Sequence, residues 1–359
     1  MKPLGIHQLS ISAAPGDAIG NEIRQIRGAL RAAGHESEIF VELLDSKMDP
    51  EVHPYLEYRE IASPDNVMLL HYSMASPVSR MAAELDDSLV LIYHNITPPE
   101  WFAPYSLRVA HNCAAARLQL ARLRPHTALA LGVSEYNRQE LEEIGFERTA
   151  VVPLLLDLDR LDGSASQLVL DRYSNDRPTW LVVGRVAPNK CVEDVIRAFA
   201  YFQRYVDDRA RLLIVGEHRH IPLYYYDLQR FTREIGVSDV HFVGHVSDDE
   251  LNAYYRVASI LVCLSEHEGF CVPLFEAFRS DLPAIAFAAA GIPYSTGGGL
   301  LMLEDKDPAL VAETVASVLD DETLRAQLLA RQRRVLSELE ADRVIRSLFE
   351  QLREIGVEA

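Results

Sequence analysis

Short apolar runs alternate with helix-period stripes along most of this chain. Residues 4–12, 38–41, 67–71, 89–93 and 128–133 read as strands. A PGDAIGN loop leads into a helix from about 21 to 33, closed by Gly34, and 137–144 is a further helical stretch. A second series follows: strand 179–183, the turn GRVAPNK, a helix to about 206, strand 211–215, helix 224–235, strand 240–243, helix 248–258 and strand 260–264. Strands alternating with helices predict an α/β chain with two doubly wound parallel sheets, two Rossmann-like domains facing across a cleft. Between the series, DLDRLDGSASQLVLDRYSNDRP breaks the rhythm with Asp, Ser and Arg and reads as a linker. The expected boundaries are a first domain over 1–156, a linker over 157–178, a second domain over 179–340 and a closing helix in 341–359. That helix carries an apolar stripe, Val344, Ile345, Leu348, Phe349 and Leu352, expected to dock back on the first domain.

Length changes little in this picture, since 359 residues suit two cores. Charge narrows the partners. A net charge of −18, from 53 acidic and 35 basic residues, repels nucleic acid, and no basic stripe answers a phosphate backbone. No apolar run approaches the roughly 20 residues that span a bilayer. The N-terminal MKPLGIHQLSIS lacks the long apolar core of a secretory signal. Cys113, Cys191, Cys263 and Cys271 form no CxxC pair, which points to a reduced, cytoplasmic setting. One segment departs from the acidic average. Residues 105–126 hold no acid, and Arg108, Arg117, Arg122 and Arg124 interleave with Ala and Leu. The stretch reads either as a core-packed helix with a solvated arginine face or as a peripheral patch for anionic lipid headgroups or a phosphate-bearing acceptor.

Candidate chemistry gathers at the ends of the second series. In SEHEGFCVPLFEAFRS, seven residues separate Glu268 from Glu276. The first carboxylate lies in the loop at a strand's carboxyl end. The second sits inside the following helix, whose side chains lean toward its N-terminus. Between them the free N–H groups of Gly269, Phe270 and Cys271 offer a cradle for phosphate. The Cys271 thiol itself reads as a small buried group rather than a nucleophile. Gly184 ends a strand and allows a tight turn, and Arg185 and Lys190 flank that turn, where both cations could converge on a diphosphate. Together these suggest a nucleotide-sugar site. Metal and nucleophile readings fare poorly: there is no HExxH, no zinc spacing around His218 and His220, and no GxSxG. The triple glycine at 297–299 lacks the strand and lysine of a phosphate loop and reads as a turn.

The runs WLVVGRVAPNK, RLLIVGEH, FVGHVSDDELNAYY and EHEGFCVPLFEAF resemble the donor domain of retaining glycosyltransferases of the GT-B fold, most closely glycosyltransferase family 4 with its E-x7-E. The resemblance is close over 178–320 and looser in the first half, which it makes an acceptor-binding domain. It implies that Arg185 and Lys190 hold and neutralise the donor diphosphate. Glu268 then binds sugar hydroxyls beside Gly269 and Phe270, and Glu276 takes the ribose hydroxyls. Val243, Gly244, His245 and Val246 border the nucleobase. His94, in YHNITP, matches the family's histidine near the transferred sugar. Gly16, in GDAIG, stands in the first glycine-rich loop, though without the usual adjacent glycines. His71 and Glu135 lie on the same predicted edge as further contacts.

The resemblance implies retaining transfer of a hexose from a nucleoside diphosphate sugar to a hydroxyl of a glycan or lipid-linked glycan. It implies no metal and no cofactor, because protein cations carry the departing charge. The segments HNITPPE and EHEGFCVPLFEAF also resemble bacterial polysaccharide-assembly transferases, several of which use GDP-mannose. Two alternatives stay open, a noncatalytic nucleotide-sugar-binding subunit and another enzyme of the fold such as a sugar epimerase. On this reading Arg185→Ala and Lys190→Ala both depress kcat far more than folding stability.

Overall fold

The computed structural model describes residues 5–14, 17–44 and 51–357. Two compact units form. One contains the chain up to Pro99, Arg108–Asp157 and everything from Leu339; the other contains Glu100–Leu107 and Leu158–Glu338.

The first unit is built on strands β1 (Ile6–Ser10), β2 (Ile39–Val41), β3 (Val52–Pro54), β4 (Val67–Tyr72), β5 (Ser88–Tyr93), β6 (Thr127–Gly132) and β7 (Thr149–Val151). They lie side by side as β3-β2-β1-β4-β5-β6-β7, every pairing parallel. VMLLHY in β4 and LVLIY in β5 are buried throughout, as expected of strands covered on both faces. Polar residues inside such strands are therefore informative. Gln8 pairs in register with Leu69, and His71 with Ile92, in the middle of the sheet. Helix Ala18–Ala32 covers this region with Ile23, Ile26 and Leu30 turned inward. The closing helix, Ala341–Arg353, belongs to the same unit, where Val344, Ile345 and Leu348 border a small cavity with Ile26, Ile92 and Leu155.

In the second unit β8 (Thr179–Val183), β9 (Arg211–Val215), β10 (Val240–Gly244), β11 (Ile260–Cys263), β12 (Ala284–Phe287) and β13 (Leu301–Leu303) form the order β10-β9-β8-β11-β12-β13, again all parallel. Chain order reverses beside β1 in one sheet and beside β8 in the other. At such a switch point the loops at the strands' carboxyl ends diverge and leave a crevice.

The segment 157–178 differs from a free linker. From Leu158 onward it is part of the second unit. It holds a short turn of helix, Asp159–Asp162, and helix Gln167–Tyr173, with Leu161, Val169 and Tyr173 buried. The Asn252 amide donates to Gly163 O and Ser164 O at 2.9 and 3.0 Å. Its polar side chains also bond within the unit: Ser164 Oγ donates to Asp249 Oδ1 at 2.8 Å, and Arg160 pairs with Asp248 and Glu276.

Candidate functional site

The carboxyl ends of β8 and β11 border a small, largely apolar crevice whose lining includes Gly184, Arg185, Lys190, Cys263, Ser265 and Pro273 beside valines and leucines of both strands. Backbone comes close here. Gly184 has φ 135°, and a Cβ on neighbouring Gly216, at φ 141°, would lie 2.0 Å from Gly184 O. Only glycine fits there. Gly216 N–H donates to Gly244 O at 2.8 Å, which ties the end of β9 to the end of β10. Gly244 is buried, His245 is exposed, and Val243 and Val246 are half-buried on that same edge.

Lys190 ends the turn after β8, and its ammonium donates to the Glu268 carboxylate. Burial alone would lower the lysine pKa, but Glu268 and the Cys271 thiol outweigh it and hold the pKa above its ordinary value. Sequence reasoning had assigned these two groups to different parts of a donor; the structure pairs them with each other. Arg185, by contrast, is exposed and has no carboxylate partner among the described residues.

The loop carrying Glu268 is clamped by residues the motif reading missed. The Asn189 amide donates to His267 O at 2.9 Å, and Glu266 N–H donates to Asn189 O at 3.0 Å. Gly291 N–H donates to Glu268 O at 2.9 Å, and a Cβ at 291 would lie 2.2 Å from Gly269 O. Ser295 Oγ donates to Phe270 O at 2.8 Å. Phe270 is buried and stacks on Phe275. Cys271 adopts the left-handed conformation, φ 71°, and opens helix Val272–Arg279; its thiol is buried 3.8 Å from Cys263 Sγ.

Glu276 is buried, and both its oxygens are engaged. Oε1 accepts from Arg160, and Oε2 accepts from Tyr255 Oη at 2.6 Å. Burial raises its pKa, partly offset by Arg160 and the tyrosine hydroxyl. Arg160 also pairs with Asp248. The Glu276 carboxylate is therefore held in place from two sides. Arg160 lies in the stretch read as linker, so no motif pointed to it.

In the first unit, His94 follows β5. Its loop is set by Asn95, at φ 78°, whose amide donates to Asn137 Oδ1 at 2.9 Å, while the Asn137 amide donates to Tyr93 O at 3.1 Å. His94 Nε2 lies 3.1 Å from His71 Nδ1, and His71 Nε2 lies 3.0 Å from Gln8 Oε1. The two rings are nearly parallel, 12° apart, with centroids separated by 5.3 Å, the side-by-side spacing of a ring-to-ring hydrogen bond. Glu22 Oε2 approaches His94 at 3.5 Å and His71 at 3.6 Å. Burial drives His71 down to about 3 and His94 down to about 4, the latter opposed by Glu22 and reinforced by His71. Burial likewise raises Glu22, against the lowering effects of His94 and the Leu155 N–H. His71, fully buried, thus supports His94 rather than facing a ligand itself. Glu135 is spent locally, its oxygens accepting from Arg138 at 2.6 and 2.7 Å. Gly16 lies outside the described residues.

Among the described residues three clusters have metal-like spacing: Glu22, His71 and His94; Cys263, Glu268 and Cys271; Cys191, Asp194 and Glu266. Lysine ammonium groups already occupy two of them, Lys190 on Glu268 and Lys306 bridging Asp194 and Glu266. In the first cluster both histidines are engaged in the hydrogen-bonded chain from Gln8.

The acid-free stretch forms helix Leu107–Leu123, with Ala110, Cys113, Ala116 and Leu120 buried. Arg117 leaves the expected basic face, because it bonds Glu140 at 2.6 Å and Ile96 O at 2.8 Å. Arg108, His111, Leu118, Arg122 and Arg124 stay exposed. No helix among the described residues is long and apolar enough to cross a membrane.

Comparison with known proteins places this geometry in context. Residues 172–335 match the sequence model of Glycosyl transferases group 1. A GDP-mannose-dependent alpha-(1-6)-phosphatidylinositol monomannoside mannosyltransferase of Mycobacterium tuberculosis is 28% identical over 298 residues, 74% of this chain and 75% of that one. A D-inositol 3-phosphate glycosyltransferase of Salinispora arenicola is 30% identical over 225 residues, 59% of this chain and 49% of that one. Among solved structures, the sucrose-phosphate synthase of Thermosynechococcus elongatus shares the fold with a TM-score of 0.75 at 17% identity, over 98% of this chain and 99% of its own.

Proposed function

Because the chain is a GT-B glycosyltransferase resembling bacterial mannosyltransferases, we propose that it moves mannose from GDP-mannose, with retention, to a hydroxyl of a lipid-linked glycan. The observation that carries this reading is the crevice at the second sheet's switch point, where an unpaired Arg185 stands beside the Lys190–Glu268 pair. The barrier to transfer lies in separating an anionic diphosphate from an oxocarbenium-like carbon. Cations already in position lower it without reorganisation. Arg185 supplies a two-pronged donor to the phosphates, and Lys190 keeps two N–H donors beyond the one given to Glu268. On this reading the protein's own charges, rather than a metal, meet the leaving group. Glu268 positions the sugar, Glu276 the ribose, and residues 243–246 the base. With Glu268 tied to Lys190, same-face attack by the acceptor hydroxyl is favoured over a covalent glycosyl-enzyme.

The donor assignment leans on the mycobacterial relative, whose name specifies GDP-mannose. The acceptor assignment leans on that relative's lipid substrate and on the exposed Arg108, Arg122, Arg124 and Leu118 of helix Leu107–Leu123. Such an enzyme works in the cytoplasm, peripheral to the inner face of the membrane. A thermal-shift screen of nucleoside diphosphates tests the donor: GDP should raise Tm more than UDP or ADP, and the sugar from GDP-[14C]mannose should appear as an α-linked product. A larger shift with UDP removes the donor assignment, and binding without turnover favours a noncatalytic subunit. Co-sedimentation with vesicles containing anionic phosphatidylinositol at low salt tests the acceptor side. Failure to bind would leave a soluble acceptor.

A further inference from the structure

A chain of hydrogen bonds crosses the switch point of the first sheet, and its direction can be read from chemistry alone. The Gln8 amide nitrogen lies 2.8 Å from Ile23 O. A carbonyl oxygen only accepts, so the NH2 group must be there, and Gln8 Oε1 is the atom that faces His71 Nε2 at 3.0 Å. That amide oxygen also only accepts, so His71 Nε2 carries a hydrogen. His71 is fully buried and neutral, which leaves its Nδ1 as an unprotonated acceptor. The hydrogen in the 3.1 Å contact between the two rings therefore belongs to His94 Nε2. A neutral imidazole with Nε2–H has a bare Nδ1.

We propose that Gln8 and His71 are positioning residues that lock His94 in its Nε2–H tautomer, leaving Nδ1 to accept a hydrogen bond from a substrate hydroxyl. The substrate half of this statement rests on the glycosyltransferase reading of His94; the tautomer half does not. Glu22 completes the arrangement. Its Oε1 accepts from Leu155 N–H at 3.2 Å, while Oε2 is buried without a hydrogen bond, 3.5 Å from the His94 nitrogen that carries the hydrogen. The same oxygen lies 3.6 Å from His71 Nδ1, so Glu22 faces both ends of the ring-to-ring hydrogen bond, and the choice of tautomer rests on Gln8 and His71. Nothing in the motif YHNITP shows which nitrogen is free. The assignment comes from Gln8 on β1, which neighbours β4 of His71, while β5, leading to His94, lies one strand beyond.

The test uses the full chain with imidazole-15N histidine, stripped of metal with EDTA, at neutral pH. Long-range 1H–15N correlation distinguishes the two tautomers directly, and His71→Gln and His94→Gln assign the signals. Both rings should show the Nε2–H pattern. A Nδ1–H pattern or an imidazolium at His94 overturns the proposal. So does a spectrum reorganised by one equivalent of Zn2+, which would make the cluster a metal site. Gln8→Leu removes the acceptor and should give His94 mixed tautomers; an unchanged pure Nε2–H signal overturns the role of Gln8. The substrate half is read separately by kcat. Asn at position 94 keeps a polar atom near the place of Nδ1, and Gln keeps one near Nε2. His94→Asn should retain at least about tenfold more kcat than His94→Gln, the worth of roughly one hydrogen bond. Equal or reversed rates, with the tautomer confirmed, would overturn the acceptor role while leaving the donor assignment standing.

Discussion

Lys190, at the end of the turn after β8, pairs its ammonium with the carboxylate of Glu268 in the loop after β11. The pair is largely buried, with side-chain exposures of 20% and 10%. It is both part of the site and part of what holds two loops of the site together.

The two cations of the GRVAPNK turn should therefore behave differently when removed, whereas the sequence alone put the loss of both on kcat far more than on folding stability. Lys190→Ala leaves a buried carboxylate without its partner and should cost about 3–5 kcal/mol of stability as well as activity. Arg185→Ala removes an exposed side chain and should change stability by less than about 0.5 kcal/mol. Its kcat should nevertheless fall by about 10²–10³ if it stabilises departing charge. Denaturant melts beside steady-state kinetics check both. An unstable Arg185→Ala, or a fully active one, would contradict the assignment.

Arg160 makes a second prediction. It joins the segment 158–178 to Glu276 and Asp248. Arg160→Met leaves Glu276 with only the Tyr255 hydroxyl and removes an influence that lowers its pKa. The carboxyl should then take up a proton at a higher pH than in the parent chain. If Glu276 holds the ribose as an anion, the donor KM should rise in the variant, and rise most on the acid side. A donor KM unchanged between pH 5 and 8 would separate Glu276 from the ribose.

Gly291 tests how tightly the loop must be held. It has an ordinary negative φ of −72°, so alanine meets no backbone strain there. The obstacle is purely steric, a Cβ 2.2 Å from Gly269 O and 2.8 Å from Glu268 O. Gly291→Ala should push the Glu268 loop outward, with a loss of about 1–3 kcal/mol from overpacking and at least about tenfold in kcat/KM from misplacing the sugar contact. Wild-type kinetics would show that the loop's position is not set from Gly291.

How much of this was legible from the sequence follows from the physics of each element. β8 and β9 appear residue for residue where the apolar runs put them, because strands buried on both faces read as continuous hydrophobic stretches. β3, β7 and β13 did not stand out, since three-residue strands at or near a sheet edge carry too little pattern. Gly184, Arg185, Lys190 and Glu268 stand out in the sequence because local spacing carries them. Arg160, Asn189, Gly291, Gln8 and Glu22 do not, because each acts on a partner distant in sequence. Two signals were available. A glutamine inside the apolar run of β1 and a glutamate on the covered face of helix Ala18–Ala32 both call for a buried polar partner.

The same buried cluster makes stability depend on pH in a definite direction. His71 and His94 have folded-state pKa values near 3 and 4, below the 6.5 of an unfolded histidine. Between those values the unfolded chain binds protons that the folded one refuses, so stability rises with pH there. The contribution of the two histidines is complete above about pH 6.5 and is lost as pH falls toward 4. Glu22 works in the opposite sense: its raised pKa favours the fold while the carboxyl is protonated, and that gain fades as pH rises through the folded value. Two histidines against one carboxyl should leave a net loss on acidification, on the order of a few kcal/mol between pH 6.5 and 4. Urea melts across that range measure it. The double variant His71→Gln/His94→Gln carries neither titrating ring and should show a flatter profile than the parent, whatever its absolute stability. An equally steep profile in the double variant would place the acid sensitivity elsewhere in the molecule.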